Sequence, residues 1–593
     1  MPSYRHDCIG HECPPTGVVN IQKWGRAQVM KEISKDEFKF VIKWSVLILA
    51  ITCIPYLYGY LSAPSKLSFI GLSVCNSADF NTYLAWARQA KEGELLFKCQ
   101  YTSEEQKRIF FNPLFLSLGV ISRVTSLPLI GVFHIFRIIS GFFLLFISYL
   151  FISFIISDKY IRRVAFFLIL VSSGFGAYLY VLRLVNPQGS LLPIDLWVPE
   201  AITFWTIYLS PLFSISSALI LTIFLLMLKF FKDGKIKFVL YAGLILLALG
   251  SIHPYDLFIV YPPLLFYSLY LSFKNKSFFK GLLLPFLTLF LFSLPIVLYN
   301  YWCLQENPIF QDWLSAPRLS PSPLSYILGY GFVFIFALLG GIRVLILKLV
   351  PDSDWGAAPD SGRGPVLNSD GGPVLSSGRG KDTQYLPLFW VLSSACLIYL
   401  PLSFQRKLIE GVHIPLCILA AEGLFWGAKK LKRLLDYQRL IRIIIILTIF
   451  SNLAVIATDL KVFRMHSFPY YLSKCEIKAM SYLEDNTSSS SIVLCSYHLG
   501  NFLPARSGNR VFLGHYDQTL NSKEKERILR KFFNQEVGER FREKVLKEYN
   551  IGYLYYGKQE KALGGFNPDK CLLLARVYEN EEVSIYRTTN KHE

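Results

Sequence analysis

Apolar segments of roughly membrane-crossing length recur along the chain from residue 41 onward. A helix needs roughly 20 mostly apolar residues to cross a hydrocarbon layer about 30 Å thick. Eleven segments are accordingly predicted to span a membrane: 41–61, 137–157, 163–184, 204–230, 238–252, 255–272, 281–301, 325–348, 386–402, 411–428 and 439–459. The pattern predicts a polytopic α-helical membrane protein with a polar N-terminal tail, residues 1–40.

The segment 112–131 is apolar but is interrupted by Arg123 and Pro128. Basic residues are enriched in cytoplasmic loops, so they indicate whether this segment crosses. If it does not cross, the basic loops share the side of the basic N-terminal region: 157–163, 232–237, 274–280 and 429–442. If it crosses, all of these loops lie outside. We therefore predict that 112–131 is a helix at the outer leaflet and that the N terminus is cytoplasmic.

This topology divides the chain into a transmembrane domain, residues 41–459, and a C-terminal region, residues 460–593. Residues 62–136 become the first external loop, with surface helices. Residues 351–384 are rich in Gly, Pro, Ser and Asp, which predicts a low-complexity cytoplasmic linker. The C-terminal region alternates short strand-like segments with an amphipathic helix and ends in a hairpin pattern. It is predicted to be a small extracytoplasmic α/β domain.

Composition supports the membrane assignment and excludes nucleic-acid binding. The chain is 53% hydrophobic and 17% charged, with a mean hydropathy of +0.38. Its formal net charge of +19 would indicate nucleic acid in a soluble protein. Here the basic residues cluster in short loops between the predicted spans. The positive charge therefore indicates which loops are cytoplasmic, and the expected partner is a lipid bilayer.

One helical segment in the first external loop carries a candidate catalytic residue. In SADFNTYLAWARQAKEG, residues 77–93, helical spacing places Asp79, Tyr83 and Trp86 on one face. A carboxylate backed by aromatic rings suits binding and deprotonation of a hydroxyl group. Alternatively, Asp79 or Ser77 caps the helix and the rings pack on lipid headgroups.

Further candidates lie in the other outer segments. The turn 405–416 is denser in polar groups than membrane anchoring requires: Gln405, Arg406, Lys407, Glu410 and His413. Three further pairs are candidates for substrate contacts: His134 with Arg137, Asp195 with Glu200, and His253 with Asp256. Each pair has an ordinary alternative role. The cationic side chains would extend to the membrane surface, Asp195 and Glu200 would cap a helix, and His253 and Asp256 would form the tight turn of the HPYD sequence, residues 253–256. In GHYDQT, His515 and Asp517 fit a strand end and helix cap, with acceptor positioning as the alternative.

The ordered set of these segments resembles a known class of membrane enzymes. The residues that carry the resemblance are 77–105, 111–141, 405–416 and 500–520. In this order they resemble the GT-C class of integral membrane glycosyltransferases, which includes protein O-mannosyltransferases and aminoarabinose transferases, and most closely the bacterial GT-C-like proteins. The resemblance implies a plasma (inner) membrane enzyme. Its donor would be a sugar on a polyprenyl phosphate, and its acceptor a glycan, lipid or protein hydroxyl.

The resemblance also implies residue roles. Asp79 would be the general base of an inverting transfer, and Arg406, Lys407 and Arg137 would hold the donor phosphate. Related enzymes often have two adjacent carboxylates in the first external loop, whereas this chain has Ala78 before Asp79. No metal or other cofactor is therefore expected to be obligatory. The alternatives are a transporter or flippase of lipid-linked sugars, or an inactive membrane scaffold. Ionisable residues are rare within the predicted spans, which favours the enzyme.

Overall fold

A computed structural model describes residues 33–185, 191–346, 382–430 and 436–589. Most of the predicted N-terminal tail and of the predicted linker 351–384 lies outside these ranges. The first described helix, Lys35–Leu61, starts within the predicted tail. Ser34 and Glu37 form a reciprocal capping box that satisfies the first backbone amides. This explains why the helix begins before the apolar segment.

Eight helices in the described ranges are long and apolar enough to cross a membrane: Lys35–Leu61, Leu129–Ile155, Pro211–Asp233, Asp256–Asn275, Phe279–Glu306, Pro323–Ile346, Gln405–Lys429 and Gln438–Arg464. Each corresponds to a predicted span. The other three predicted spans are shorter helices: Lys159–Val171 followed by Gly176–Val181, then Lys237–Ile252, and Tyr385–Leu397.

The break in the predicted span 163–184 has a clear physical cause. The backbone amides of Ser173 and Phe175 donate to the carbonyls of Thr448 and Leu328. The amide of Gly174 donates to the Asp195 carboxylate. These amides are therefore bound by other segments and cannot continue the helix.

Close helix packing joins the long helices. Helix Pro323–Ile346 packs along helix His413–Lys430, and a Cβ atom on Gly340 would collide with the Leu419 carbonyl. Small residues of this kind let membrane helices approach closely. Within the same pair of helices, Arg343 forms an ion pair with Glu422. Glu422 lies within the predicted span 411–428, and this pairing compensates its charge there.

Residues 62–136, predicted to be the first external loop, form two helices that pack together, Ser77–Glu92 and Pro113–Thr125. A Cβ atom on Gly119 would collide with the Ala87 carbonyl, so the contact requires glycine. Helix Pro113–Thr125 has 13 residues, too few to cross a membrane. The helix is shorter than the predicted segment 112–131, because residues 129–131 belong to helix Leu129–Ile155, and its place at the outer leaflet stays a prediction.

Seven strands, numbered in chain order, lie outside the long helices: β1 Leu67–Phe69, β2 Tyr471–Ser473, β3 Ile492–Leu494, β4 Arg510–Val511, β5 Ile551–Tyr556, β6 Leu574–Glu579 and β7 Ser584–Thr588. Five of them form one sheet in the order β4-β3-β5-β7-β6. Strand β3 is parallel to β4 and β5, and β7 is antiparallel to β5 and β6. The remaining helices of the C-terminal region are Lys474–Asn486, Tyr497–Gly500, Leu503–Arg506, Ser522–Phe532, Glu539–Glu548 and Lys558–Lys561. The predicted small α/β fold is confirmed.

The C-terminal region is fastened to the first external loop. Strands β1 and β2 pair antiparallel, with Leu67 opposite Ser473. Arg88 donates to Glu484 at 2.6 Å and to the Arg506 carbonyl at 2.5 Å. This docking brings the segment after β4 beside the N-terminal end of helix Ser77–Glu92.

Candidate active site

A cavity of about 450 Å³ opens where the first external loop, the HPYD turn, the 405–407 turn and the C-terminal region meet. Its charged and titratable lining residues are Asp79, Glu200, His253, Arg318, Arg406, Lys407, His515 and Asp517. Its aromatic lining residues include Tyr83, Trp86, Phe110, Phe115, Trp197, Tyr255, Phe310 and Trp313. Apolar walls with a few convergent polar groups are typical of a small-molecule site.

Asp79 lies in the first turn of helix Ser77–Glu92 and faces the cavity. The N-cap of this helix is Asn76, in a left-handed conformation, and no side chain caps the helix. The alternative that Asp79 or Ser77 serves as a cap is therefore wrong. Asp79 keeps 41% of its side chain exposed, which leaves the carboxylate accessible from the cavity.

His515 is the direct partner of Asp79. Its Nε2 atom lies 2.8 Å from Asp79 Oδ1. A carboxylate can only accept, so Nε2 carries the proton and donates it. The imidazole is 8% exposed, and Tyr101 packs against it with ring centroids 6.1 Å apart. His515 occupies the N-cap position of the short helix Tyr516–Gln518, as predicted, but its side chain makes no capping bond.

Two opposing effects set the pKa of Asp79. Burial by itself would raise it. The hydrogen bond from His515 and the nearby charges of Lys407 and Arg318 outweigh burial, so the pKa lies below its ordinary value of 3.8. Asp79 is therefore ionised at neutral pH.

Three cations line the cavity and lie over aromatic rings. The Lys407 ammonium is 5.3 Å from the Tyr255 ring centre and 5.6 Å from that of Trp313. The Arg406 guanidinium lies 4.8 Å from the Trp197 ring centre. Within the described ranges, neither Arg406 nor Lys407 has an ion-pair partner. These two charges are positioned by aromatic faces and remain available to an anion.

Arg318 is the third cation, and it is already engaged. It donates to Asp517 Oδ2 at 2.9 Å and to the carbonyls of Trp313 and Ala316. This ion pair joins the loop after helix Pro308–Ser315 to the C-terminal region at the cavity. Its bonds hold the cavity wall together.

Tyr83 and Trp86 also line the cavity, as helical spacing predicted. Their rings are stacked with centres 6.2 Å apart, and Phe115 packs against both at 5.1 and 5.2 Å. Glu200 lies nearby, 6% exposed, and its Oε2 atom has no hydrogen-bond partner in the described part of the chain. An aromatic wall with an unpaired carboxylate oxygen suits a polyhydroxylated ligand.

His253, Asp256 and Glu410 form a buried cluster at the cavity wall. His253 Nδ1 lies 3.0 Å from Asp256 Oδ1 and 3.3 Å from Glu410 Oε2. His253 lines the cavity, whereas the two carboxylates lie behind it. Burial by itself would lower the pKa of His253, but the two carboxylates raise it to about 10.

Five sequence candidates lie away from the cavity: His134, Arg137, Asp195, Gln405 and His413. Arg137 is 1% exposed and donates to Thr52 and to the carbonyls of Ile207 and Tyr208. His134 binds the Gly71 carbonyl. This pair therefore connects the first two long helices to the segment at 207–208, and snorkelling does not describe Arg137.

The other three candidates make internal contacts. Asp195 Oδ2 accepts from the amides of Gly174 and Gly176. His413 hydrogen-bonds to Ser172 and Thr203. Gln405 accepts from the amide of Ser320. Each contact ties together segments that are distant in sequence.

No protein-family model and no curated protein matches this sequence. Among solved structures, the apo oligosaccharyltransferase of Archaeoglobus fulgidus matches with a TM-score of 0.53 and 11% identity, over 87% of this chain and 69% of that chain. The arabinofuranosyltransferase AftD from Mycobacteria matches at 0.49 and 10% identity, over 92% of this chain and 40% of that chain. ArnT from Cupriavidus metallidurans, bound to undecaprenyl phosphate, matches at 0.45 and 10% identity, over 92% and 98%.

The protein is thus a polytopic helical membrane protein with a largely apolar cavity, which contains a few convergent charged groups, between residues 62–136 and the C-terminal region. Its fold is similar to that of the archaeal oligosaccharyltransferase. The fold predicted from the ordered sequence segments is confirmed.

Proposed function

We propose that the protein is a membrane glycosyltransferase that moves a sugar from a polyprenyl-phosphate donor to an acceptor hydroxyl. The observation that carries this proposal is one cavity that holds an accessible carboxylate, Asp79, together with two cations, Arg406 and Lys407, that have no ion-pair partner in the described part of the chain. The GT-C fold agrees with this chemistry. The acceptor belongs to a glycan, a lipid or a protein.

Asp79 is the proposed general base. His515 engages Oδ1 and so orients the carboxylate, which leaves Oδ2 for the acceptor hydroxyl. As Asp79 takes the hydroxyl proton, the acceptor oxygen bonds to the anomeric carbon and the bond from that carbon to the phosphate oxygen breaks. Direct displacement inverts the anomeric centre, and the departing group is polyprenyl phosphate.

Arg406 and Lys407 are proposed to hold the donor phosphate. Negative charge accumulates on the phosphate oxygens as the glycosidic bond breaks, and fixed cations stabilise it most at that stage. Tyr83, Trp86 and Glu200 are proposed to contact the sugar or the acceptor. Arg137 is not included, because its donors are already committed to Thr52, Ile207 and Tyr208.

The cavity is proposed to face the extracytoplasmic side of the plasma membrane, with the N terminus in the cytoplasm. Loop charge supports this orientation. In a variant whose 11 native cysteines are replaced by serine, Asp485→Cys, at an exposed position in the C-terminal region, should react with an impermeant maleimide in intact cells. Labelling only after lysis would indicate the opposite orientation.

The transfer is tested with purified protein in nanodiscs and a panel of radiolabelled polyprenyl-phosphate sugars. Wild type should release polyprenyl phosphate, and Asp79→Asn should lose this activity while retaining donor binding. Asp485→Asn, an exposed carboxylate far from the cavity lining, serves as the matched control. Equal release by wild type and Asp79→Asn would contradict the base role. Translocation of the lipid without release would indicate a flippase.

A further inference from the structure

The cluster of His253, Asp256 and Glu410 offers three ligand atoms converging on one point. His253 ends helix Lys237–Ile252, and Asp256 begins the next helix three residues later. Glu410 follows the turn that carries Lys407. The three ligand atoms lie within 4.8 Å of one another.

The distances fit a coordination sphere. Transition-metal bonds to imidazole nitrogen and carboxylate oxygen are about 2.0–2.2 Å long, which places adjacent ligand atoms about 3.0–3.5 Å apart. His253 Nδ1 is 3.0 Å from Asp256 Oδ1 and 3.3 Å from Glu410 Oε2. Both separations match neighbouring positions around one ion.

Hydrogen bonding among these residues leaves carboxylate oxygens unsatisfied. Nδ1 carries at most one hydrogen, which can be directed at only one carboxylate. Its hydrogen bond goes to Asp256 Oδ1. Glu410 Oε2 and Asp256 Oδ2 are buried without a hydrogen-bond partner among the described residues, and both residues are fully buried. Buried polar atoms are rarely left unpaired.

Charge leads to the same conclusion. If both buried carboxylates are ionised, one imidazolium neutralises only one of their two charges; otherwise one carboxylate must hold a proton. A divalent cation neutralises both, with neutral His253 donating its Nδ1 lone pair. Ser217 Oγ lies 3.4 Å from Glu410 Oε1 and would orient that carboxylate from outside the ligand shell.

We propose that His253, Asp256 and Glu410 bind a divalent transition-metal ion at the cavity wall. One imidazole with two carboxylates suits Mn²⁺ or Zn²⁺. Because His253 lines the cavity, the ion would add positive charge beside Arg406 and Lys407. The proposal departs from the expectation of no obligatory metal, which considered only the first-loop motif. It does not depend on the transfer reaction, since its test measures metal binding.

The test uses full-length protein in detergent, dialysed against EDTA and titrated with Mn²⁺ under electron paramagnetic resonance, with Zn²⁺ content measured by elemental analysis in parallel. We expect one ion per chain, and at least a tenfold weaker affinity in Glu410→Gln and Asp256→Asn. Asp79→Asn should bind as wild type does, which separates this cluster from the general base.

A measurement on the wild type alone guards against variants that fail to fold. Pulsed resonance of the Mn²⁺ complex of the wild type should show hyperfine coupling to an imidazole nitrogen. Absence of stoichiometric Mn²⁺ and Zn²⁺ at 1 mM added metal would overturn the proposal and leave an imidazolium ion pair. Binding without the nitrogen coupling would also overturn it.

Discussion

Replacing His515 with glutamine tests whether the C-terminal region contributes directly to the reaction. His515 Nε2 lies 2.8 Å from Asp79 Oδ1, and a hydrogen bond to a charged group contributes about 1.5–3 kcal/mol. If this bond orients the base in the transition state, kcat/KM of His515→Gln should fall about 10- to 150-fold.

The same replacement should change the pH dependence. Burial acts to raise the pKa of Asp79, and His515 is the strongest influence that lowers it. Removing His515 therefore raises the pKa of Asp79, so that the base is protonated at a higher pH. The acidic limb of the kcat/KM profile should move upward. A residue that only supports the fold would lower activity without moving this limb.

The assay is release of radiolabelled polyprenyl phosphate in nanodiscs, measured for both single variants and for the double variant with Asp79→Asn. Because both residues act through one carboxylate, the double variant should be no slower than Asp79→Asn. His498→Gln, an exposed histidine in the same region, is the control. Full activity of His515→Gln, an unmoved acidic limb or additive losses would refute the reasoning.

Three further outcomes are expected. Arg137→Met should destabilise the protein by about 1–3 kcal/mol, because the buried Ile207 carbonyl loses this donor while the Tyr208 carbonyl keeps the Tyr56 hydroxyl. The thermal midpoint in detergent should fall and the affinity for polyprenyl phosphate should stay unchanged. Weakened lipid binding at unchanged stability would contradict this role. Lys407→Met should weaken polyprenyl-phosphate binding about tenfold or more. The thermal midpoint should change little, because Lys407 has no ion-pair partner among the described residues. Unchanged affinity in a direct binding assay would exclude the phosphate contact. Burial raises the pKa of Asp195 to about 6 from 3.8. The folded state therefore holds this proton more tightly than the unfolded chain does. The free energy of unfolding contributed by this group should fall by about 3 kcal/mol as pH rises from about 4 to 6. The thermal midpoint of wild type relative to Asp195→Asn should fall across that range, and a constant difference would argue against the buried proton.

The long helices were predictable because their signal is local. Each of the eight long apolar helices falls on a segment that hydropathy and length predicted. The prediction of one continuous helix at 163–184 is wrong for a non-local reason. The residues of this segment are mostly apolar, and the helix is interrupted because the carbonyls of Thr448 and Leu328 and the carboxylate of Asp195 bind the amides of residues 173–175.

The candidate site was predictable in part, for a similar reason. Asp79, Tyr83 and Trp86 share a face because of helical periodicity, and Arg406 and Lys407 stand in a turn of unusual polarity. Arg137 has the same residue type as the cavity cations, but its burial and its bonds to Thr52 and two carbonyls appear only in the folded chain. His515 lacks any local signal that distinguishes it from a helix-start residue.

The amino-acid sequence by itself determined the membrane class, the positions of the long helices, the small α/β region and the face that carries Asp79. These properties depend on hydropathy and on neighbours within a few residues. Only the tertiary structure decided the Asp79–His515 pair, whose members are 436 residues apart, and the meeting of Glu410 with His253. Such contacts arise when docking of the C-terminal region and packing of the helices bring distant segments together, and no local pattern encodes them.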